Sequence, residues 1–353
     1  MPGNLRNALL KSGAVIDGAS ALPLHFGAPK AELHAALNVC MVADRSPAAR
    51  LIGDGPDLAD LLHRLSTNTV HALEPGGGTA TVLTTAKGRI VERLFVSHLG
   101  DAGLLLIGGN GRAGVVLEHL KKFTFAEQTG LRDCGNDYSL LALGGPLAGE
   151  ALALAGLETP PPLGAVGGRH DGMRVHVLGH DGQSANGYSI LVANAQAGSL
   201  WQGLVLAVSK TDGRACGELA LEAARIRRGV PACGSELNED HNPLEAGLWD
   251  AVSFDKGCYV GQEVVARLNT YDKVSRRLIG LKIPPDHLVV AGGTKLYRNE
   301  KEAGLITSIA ALEGVETVGL GYIKKRSAEV GDAVQLGAPD GPTTTLQAFP
   351  MTD

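Results

Sequence analysis

Apolar positions recur along this chain with two distinct periods. Leu58, Leu61, Leu62 and Leu65 stand three and four residues apart, the stripe of a helix that Pro56 and Asp57 can open and Ser66-Thr67-Asn68 can close. Lys30 to Cys40, Arg112 to Lys122, Ala195 to Val208 and Leu219 to Arg228 predict further helices. The β-branched run Thr79 to Thr84 predicts a strand, which a Lys87-Gly88-Arg89 turn joins to Ile90 to Ser97 and then to Leu104 to Ile107. Leu140 to Leu143 reads as a strand, and Arg174 to Leu178 pairs with Tyr188 to Val192 across the polar turn Gly179 to Gly187. The Ala-, Gly- and Pro-rich stretch through Pro160-Pro161-Pro162 contains a turn or surface loop. Hairpins alternating with helices indicate an α+β class and not a regular βαβ series.

The pattern changes near Arg276. Leu278 to Ile283, Val289-Val290, Leu296-Tyr297, Gly304 to Ser308, Val318 to Ile323 and Ala333 to Leu336 are short apolar pieces between Gly, Pro and charged turns. Such spacing predicts a small all-β barrel at the carboxyl end, connected through Asn269 to Ser275.

A length of 353 residues calls for two or three domains. With only 4% aromatic residues the cores must be built from Leu, Val, Ile and Ala, and base stacking on aromatic rings is a poor basis for function. A formal net charge of -5 argues against a strongly cationic nucleic-acid-binding domain, although not against a local basic patch. The five cysteines form no CxxC pair, which fits a reducing compartment and supplies no zinc or iron-sulfur ligand set. No HExxH or His-x-His grouping occurs, so no metal site is proposed. The amino terminus has no long apolar run, and no span of the chain reads as transmembrane; a cytoplasmic protein without membrane contact is expected.

The densest run of small, polar and charged residues lies between Arg225 and Arg267. Within it, Gly257 and Gly261 bracket Cys258 in Lys256-Gly257-Cys258-Tyr259-Val260-Gly261-Gln262-Glu263. Glycines there let the backbone turn sharply, while Lys256, and Arg267 if the next segment is helical, would favour a thiolate. Glu263 would oppose them, or pair with Arg267 at four-residue spacing. An inert thiol in a strand-to-helix turn is the competing reading, at even odds. Lys87-Gly88-Arg89 is either a solvated turn or a cationic rim facing the glutamate tail of a ligand. Arg225, Arg227 and Arg228 are either a solvated helix face or the source of a guanidinium for a carboxylate. Gly108-Gly109-Asn110-Gly111 lacks the rest of a phosphate-loop fingerprint.

The segment KGCYVGQE, preceded by PLEAGLWDAVSF and RIRRGVP, resembles the signature of the YgfZ family of folate-binding proteins, implicated in iron-sulfur enzyme maintenance and tRNA modification and related to the glycine-cleavage aminomethyltransferases. LHRLSTNTV, TAKGRIVERLFV and GLITS extend the resemblance over most of the chain. It implies a clover-like arrangement of three domains around a central hole that accepts tetrahydrofolate: residues 1–48 with 138–268, an inserted 49–137, and the carboxyl-terminal barrel 269–353. It further implies that Cys258, Lys256 and Glu92 carry the chemistry, and that Arg227, Glu245, Gly257, Tyr259, Gln262, Arg267 and Lys87 contact the folate.

Two positions depart from the aminomethyltransferases. Glu92 and Arg93 stand where those relatives carry adjacent aspartates, and Ser189 stands where they hold the pterin with a glutamate. The leading expectation is therefore a tetrahydrofolate-binding accessory factor for iron-sulfur cluster assembly or repair, working with cluster-assembly or client proteins through Cys258. A folate-dependent one-carbon or aminomethyl transferase with Glu92 as its acid is the alternative.

Overall fold

A computed structural model describes residues 3–16, 22–180, 187–284 and 291–351. The expected strand at Val289-Val290 and most of the polar turn before Gly187 lie outside the described residues.

One sheet has six strands, in the order Ala165–His170, Met173–Leu178, Tyr188–Ala193, Tyr138–Gly144, Met41–Asp44 and Arg214–Ala215. Only the last pairing is parallel. The other sheet runs Gly78–Thr84, Ile90–His98, Leu104–Asn110, Ala48–Gly53, Arg132–Asp133 and is antiparallel throughout. Met41–Asp44 belongs to the first sheet and Ala48–Gly53 to the second, so the chain crosses between them at Arg45 to Pro47. It crosses back between Asp133 and Tyr138.

Leu105 and Ile107 of the five-stranded sheet bury against Leu140, Leu178 and Leu191 of the six-stranded one, packing the two face to face. The helix Leu58–Leu65 covers the outer face of the smaller sheet, burying Leu58, Leu61, Leu62 and Leu65 against Leu94, Val96 and Leu106. Each fully buried leucine of this kind contributes about 1.5–3 kcal/mol. The helices Gly3–Lys11, Ala148–Leu154 and Ala197–Ser209 cover the outer face of the larger sheet around Trp201, whose indole N–H donates to the Ser12 hydroxyl at 2.9 Å.

The carboxyl-terminal strands Arg276–Ile283, Lys295–Arg298, Lys301–Ala310, Thr317–Lys324, Ala333–Leu336 and Thr343–Gln347 form a closed barrel filled by Ile279, Leu281, Ile306, Ile323 and Val334. Its outer residues Ala310, Leu312, Val318 and Leu320 pack on the helices Pro29–Asn38 and Glu218–Arg228. The architecture is thus α+β with a small barrel. Among the described residues no helix is long and apolar enough to cross a membrane.

The Ala-, Gly- and Pro-rich stretch has its turns and also a helix that was not expected, Ala148–Leu154. Ala148, Ala151 and Leu152 fall at three- and four-residue spacing and bury fully, so the small side chains serve close packing and not a turn. Met41–Asp44 and Ala48–Gly53 escape a search for alternation because almost every residue in them is buried. The closing strand Thr343–Gln347 is masked by its exposed threonines.

Candidate functional site

Where the two sheets part, a cavity of about 180 Å³ opens beside the helix Glu218–Arg228. Its wall gathers Arg45 from the first crossing, Arg93 and Phe95 from Ile90–His98, Ser189 from Tyr188–Ala193, and His180 from just beyond Met173–Leu178. The helix adds Glu218, Glu222 and Arg225, and the loop after it adds Cys233. In Ile90–His98 the buried Leu94 and Val96 face the helix side, while Arg93 and Phe95 alternate with them onto the cavity. Two wider grooves, of about 910 and 790 Å³, lie on the barrel rim and beside Pro29–Asn38.

The cavity is electrically structured. Arg45 donates to Glu218 at 3.2 Å, yet burial holds the Glu218 carboxyl above its ordinary range. Arg225 forks onto Glu222 at 2.5 Å and reaches Glu236 at 3.1 Å and the Ser308 hydroxyl at 2.7 Å. Ser308 in turn donates to Glu236 at 2.6 Å, which ties the cavity wall to the barrel. Phe95 is flanked by the Arg93 guanidinium, 4.8 Å from its ring centre, and by the His180 ring, stacked at 4.1 Å. His180 is 5% exposed, and among the described residues neither of its ring nitrogens has a hydrogen-bond partner. Burial, with Arg93 nearby, lowers its pKa to about 3, so the ring is neutral. A buried polar group left unpaired costs about 1–3 kcal/mol.

Glu92 does not line the cavity. It is fully buried, and three donors converge on its oxygens: Gly109 N–H at 3.0 Å, Arg112 Nε at 2.8 Å and the Cys233 thiol at 2.6 Å. Three donors suit a carboxylate that accepts. Burial and Glu92 push the Cys233 thiol up to about 12, which keeps it a donor. The Gly108-Gly109 run is part of this packing and not a phosphate cradle, for a Cβ on Gly109 would stand 2.6 Å from the Cys233 Cβ.

The segment carrying Cys258 lies elsewhere; none of its residues lines the cavity. Cys258 is exposed, whereas Cys40, Cys134 and Cys216 are buried and Cys233 is half-buried. Lys256 directs its ammonium to the carbonyls of His63, Ser66 and Asn68, the last two at 2.6 and 3.0 Å, capping the end of the helix Leu58–Leu65. All three of its donors are engaged there, and burial lowers its pKa to about 8. It therefore fastens the loop to the helix end. Gly261 has φ +86°, and a Cβ on it would stand 2.5 Å from the Thr85 carbonyl and 3.0 Å from Gly88. That glycine lets the loop press on the Lys87-Gly88-Arg89 turn. Gly257 has no such constraint, since a Cβ there would meet only His63 Nε2 at 3.8 Å.

The other expected contacts scatter. Tyr259 is buried, with its hydroxyl pKa pushed up to about 12 by burial. Gln262 opens the helix Gln262–Thr270 and Arg267 is exposed on it, while Lys87 is exposed on its turn. Glu245 is buried, accepting from Ser275 at 3.0 Å and facing Arg89 at 3.7 Å. Arg227 is buried on the helix Glu218–Arg228, where it is Arg225 that lines the cavity. Of the cavity residues sequence reasoning passed over, Arg93 carried a usable signal: a cation inside an apolar strand. His180, Arg45 and Glu218 carried none.

The architecture is that of a known family, and comparison makes the family definite. The chain belongs to the family of the GCVT N-terminal domain, whose model matches residues 13–256. It is 33% identical over 307 residues to an Arabidopsis thaliana protein named "Putative transferase At1g60990, chloroplastic", covering 85% of this chain and 69% of that one. It is 27% identical over 303 residues to the aminomethyltransferase of Shouchella clausii, covering 82% of this chain and 80% of the relative. The crystal structure of the glycine cleavage system aminomethyltransferase T from Bartonella henselae shares the fold, with a TM-score of 0.84 at 21% identity over 99% of this chain and 97% of that one.

Proposed function

We propose that the chain is a folate-dependent one-carbon transferase whose cavity between the two sheets seats the bicyclic ring of a reduced folate. The observation that carries this reading is the polar, ring-sized cavity in a chain of aminomethyltransferase fold. Small-molecule sites usually enclose about 300–1,000 Å³, so 180 Å³ suits the ring alone and leaves the tail outside. The residues present fit such a group. Glu218, Glu222 and Ser189 offer acceptors to ring N–H donors. When bound, a reduced folate supplies a one-carbon unit carried on nitrogen. We read the chain as three domains, residues 1–48 with 138–268, 49–137 and 269–353, which the membership of the sheets supports. Calorimetric titration of the full chain with tetrahydrofolate tests the reading. Saturable binding weakened by Glu218→Ala is expected, and no binding at millimolar ligand rejects it.

A second reading, of the YgfZ type, rests on the exposure of Cys258. There the chain maintains iron-sulfur proteins, and through them tRNA modification, by contact of this thiol with a partner. One thiol under-ligates a cluster, so the partner supplies the remaining ligands. Unchanged cluster-enzyme activities in cells carrying Cys258→Ser reject it.

A further inference from the structure

We propose that His180 selects the ligand of the cavity, its imidazole hydrogen-bonding the edge of a flat, uncharged heteroaromatic ring of the pterin class. This rests on the folate reading above and adds the group that does the recognising. Among the described residues several buried side chains leave one polar atom unpaired, but His180 alone of the histidines leaves both ring nitrogens so. Core packing does not call for that: a phenylalanine would stack on Phe95 as well and bring no polar atoms to be desolvated. The stacking, at 4.1 Å with rings inclined by 16°, fixes the imidazole plane before any ligand arrives. Recognition then requires little ordering of the side chain.

The charge state narrows the ligand class. A neutral imidazole presents one donor and one acceptor, so it suits a ring edge carrying N–H and carbonyl or ring-nitrogen groups. It offers no positive charge to a phosphate or carboxylate. The cations of the cavity are otherwise arranged: Arg45 on Glu218, and Arg225 on Glu222 and Glu236. The groups facing His180 are the Arg93 guanidinium and the Phe95 ring, and Ser189 lines the same cavity.

Two variants of the full chain test this. His180→Phe keeps the flat ring and removes both nitrogens; His180→Gln returns a donor and an acceptor. Calorimetric titration with tetrahydrofolate, and with p-aminobenzoylglutamate as a probe lacking the pterin, is paired with the thermal midpoint of each ligand-free protein. The expected result is a tetrahydrofolate Kd raised about tenfold or more in His180→Phe, with His180→Gln within about threefold of wild type. The midpoint of His180→Phe stays level or rises, and binding of the pterin-free probe is the same in all three proteins. A Kd for His180→Phe within about twofold of wild type overturns the proposal, showing that water satisfies the nitrogens. Equal loss of binding in both variants with lowered midpoints also overturns it, because the role is then structural. If wild type itself fails to bind tetrahydrofolate, the folate reading falls and this inference with it; binding by wild type with an indifferent His180→Phe removes this inference alone.

Discussion

The cavity between the sheets and the loop carrying Cys258 are built on opposite plans. The cavity wall draws on segments from Arg45 to Cys233, holds its charges in buried pairs and keeps His180 neutral and unpartnered. The loop is one continuous stretch, fastened by Lys256 and pressed down at Gly261, with its thiol left in solvent. A conspicuous motif is therefore no sign that its residues converge on a pocket. In this molecule the motif's lysine and second glycine are explained by docking one surface loop on the smaller sheet, while the enclosed polar space arises where no local motif exists.

The sharpest way to break this contrast is Arg225→Met. Glu236, at 0% exposure, would lose its cation, and a buried charge left unpaired costs about 3–5 kcal/mol. Urea unfolding should show a loss of that size together with impaired tetrahydrofolate binding; a change below about 1 kcal/mol would mean the network does not hold the wall.

Acid should act on a similar scale. Burial is the main cause that lowers His180 to about 3, and His63 and His241 to about 4. At pH 5 the unfolded chain protonates these histidines and the folded chain does not, so stability must rise with pH up to about 6.5 and fall below it. A loss of about 5 kcal/mol between pH 7 and pH 5 is expected from denaturation at the two pH values. A flat profile would mean that the three rings are not held neutral.

Lys256→Met removes three hydrogen bonds to helix-end carbonyls and should cost about 1–3 kcal/mol, with faster amide exchange across residues 251–261 and no change in tetrahydrofolate affinity. Coupled loss of affinity would show that loop and cavity are one site.

The smallest effect belongs to Cys258→Ser. Exposed and without structural contacts to lose, it should shift stability by no more than about 0.5 kcal/mol. In the wild type, iodoacetamide followed by mass spectrometry should label Cys258 first. Prior labelling of Cys233 would contradict a thiol pushed up to about 12 by burial and Glu92.

Much of the fold was legible in the chain. The stripe of Leu58, Leu61, Leu62 and Leu65, the hairpin around Lys87-Gly88-Arg89 and the short apolar pieces after Arg276 each report a local period, and local period is what burial of one face imposes. Ala148–Leu154 was not legible, because a helix of small residues among glycines and prolines has the composition of a turn. Thr343–Gln347 closes the barrel only because Arg276–Ile283 is there to receive it.

The site divides in the same way. Cys258 with its glycines stood out because its residues are neighbours in the chain, yet whether that thiol faced solvent or a cleft depended on Lys256 finding the end of a helix nearly two hundred residues earlier. Glu92 was a candidate acid from its place in the family's acidic pair, and the fold makes it an acceptor for Arg112 and Cys233 from two other segments. Sequence by itself determined the element types, the terminal barrel and the family resemblance, since those depend on periodicity and contiguous motifs. Only the tertiary structure decided which polar groups are buried together, which of them are paired and which nitrogens are left waiting, because desolvation and hydrogen bonding act between surfaces that the chain order does not bring together.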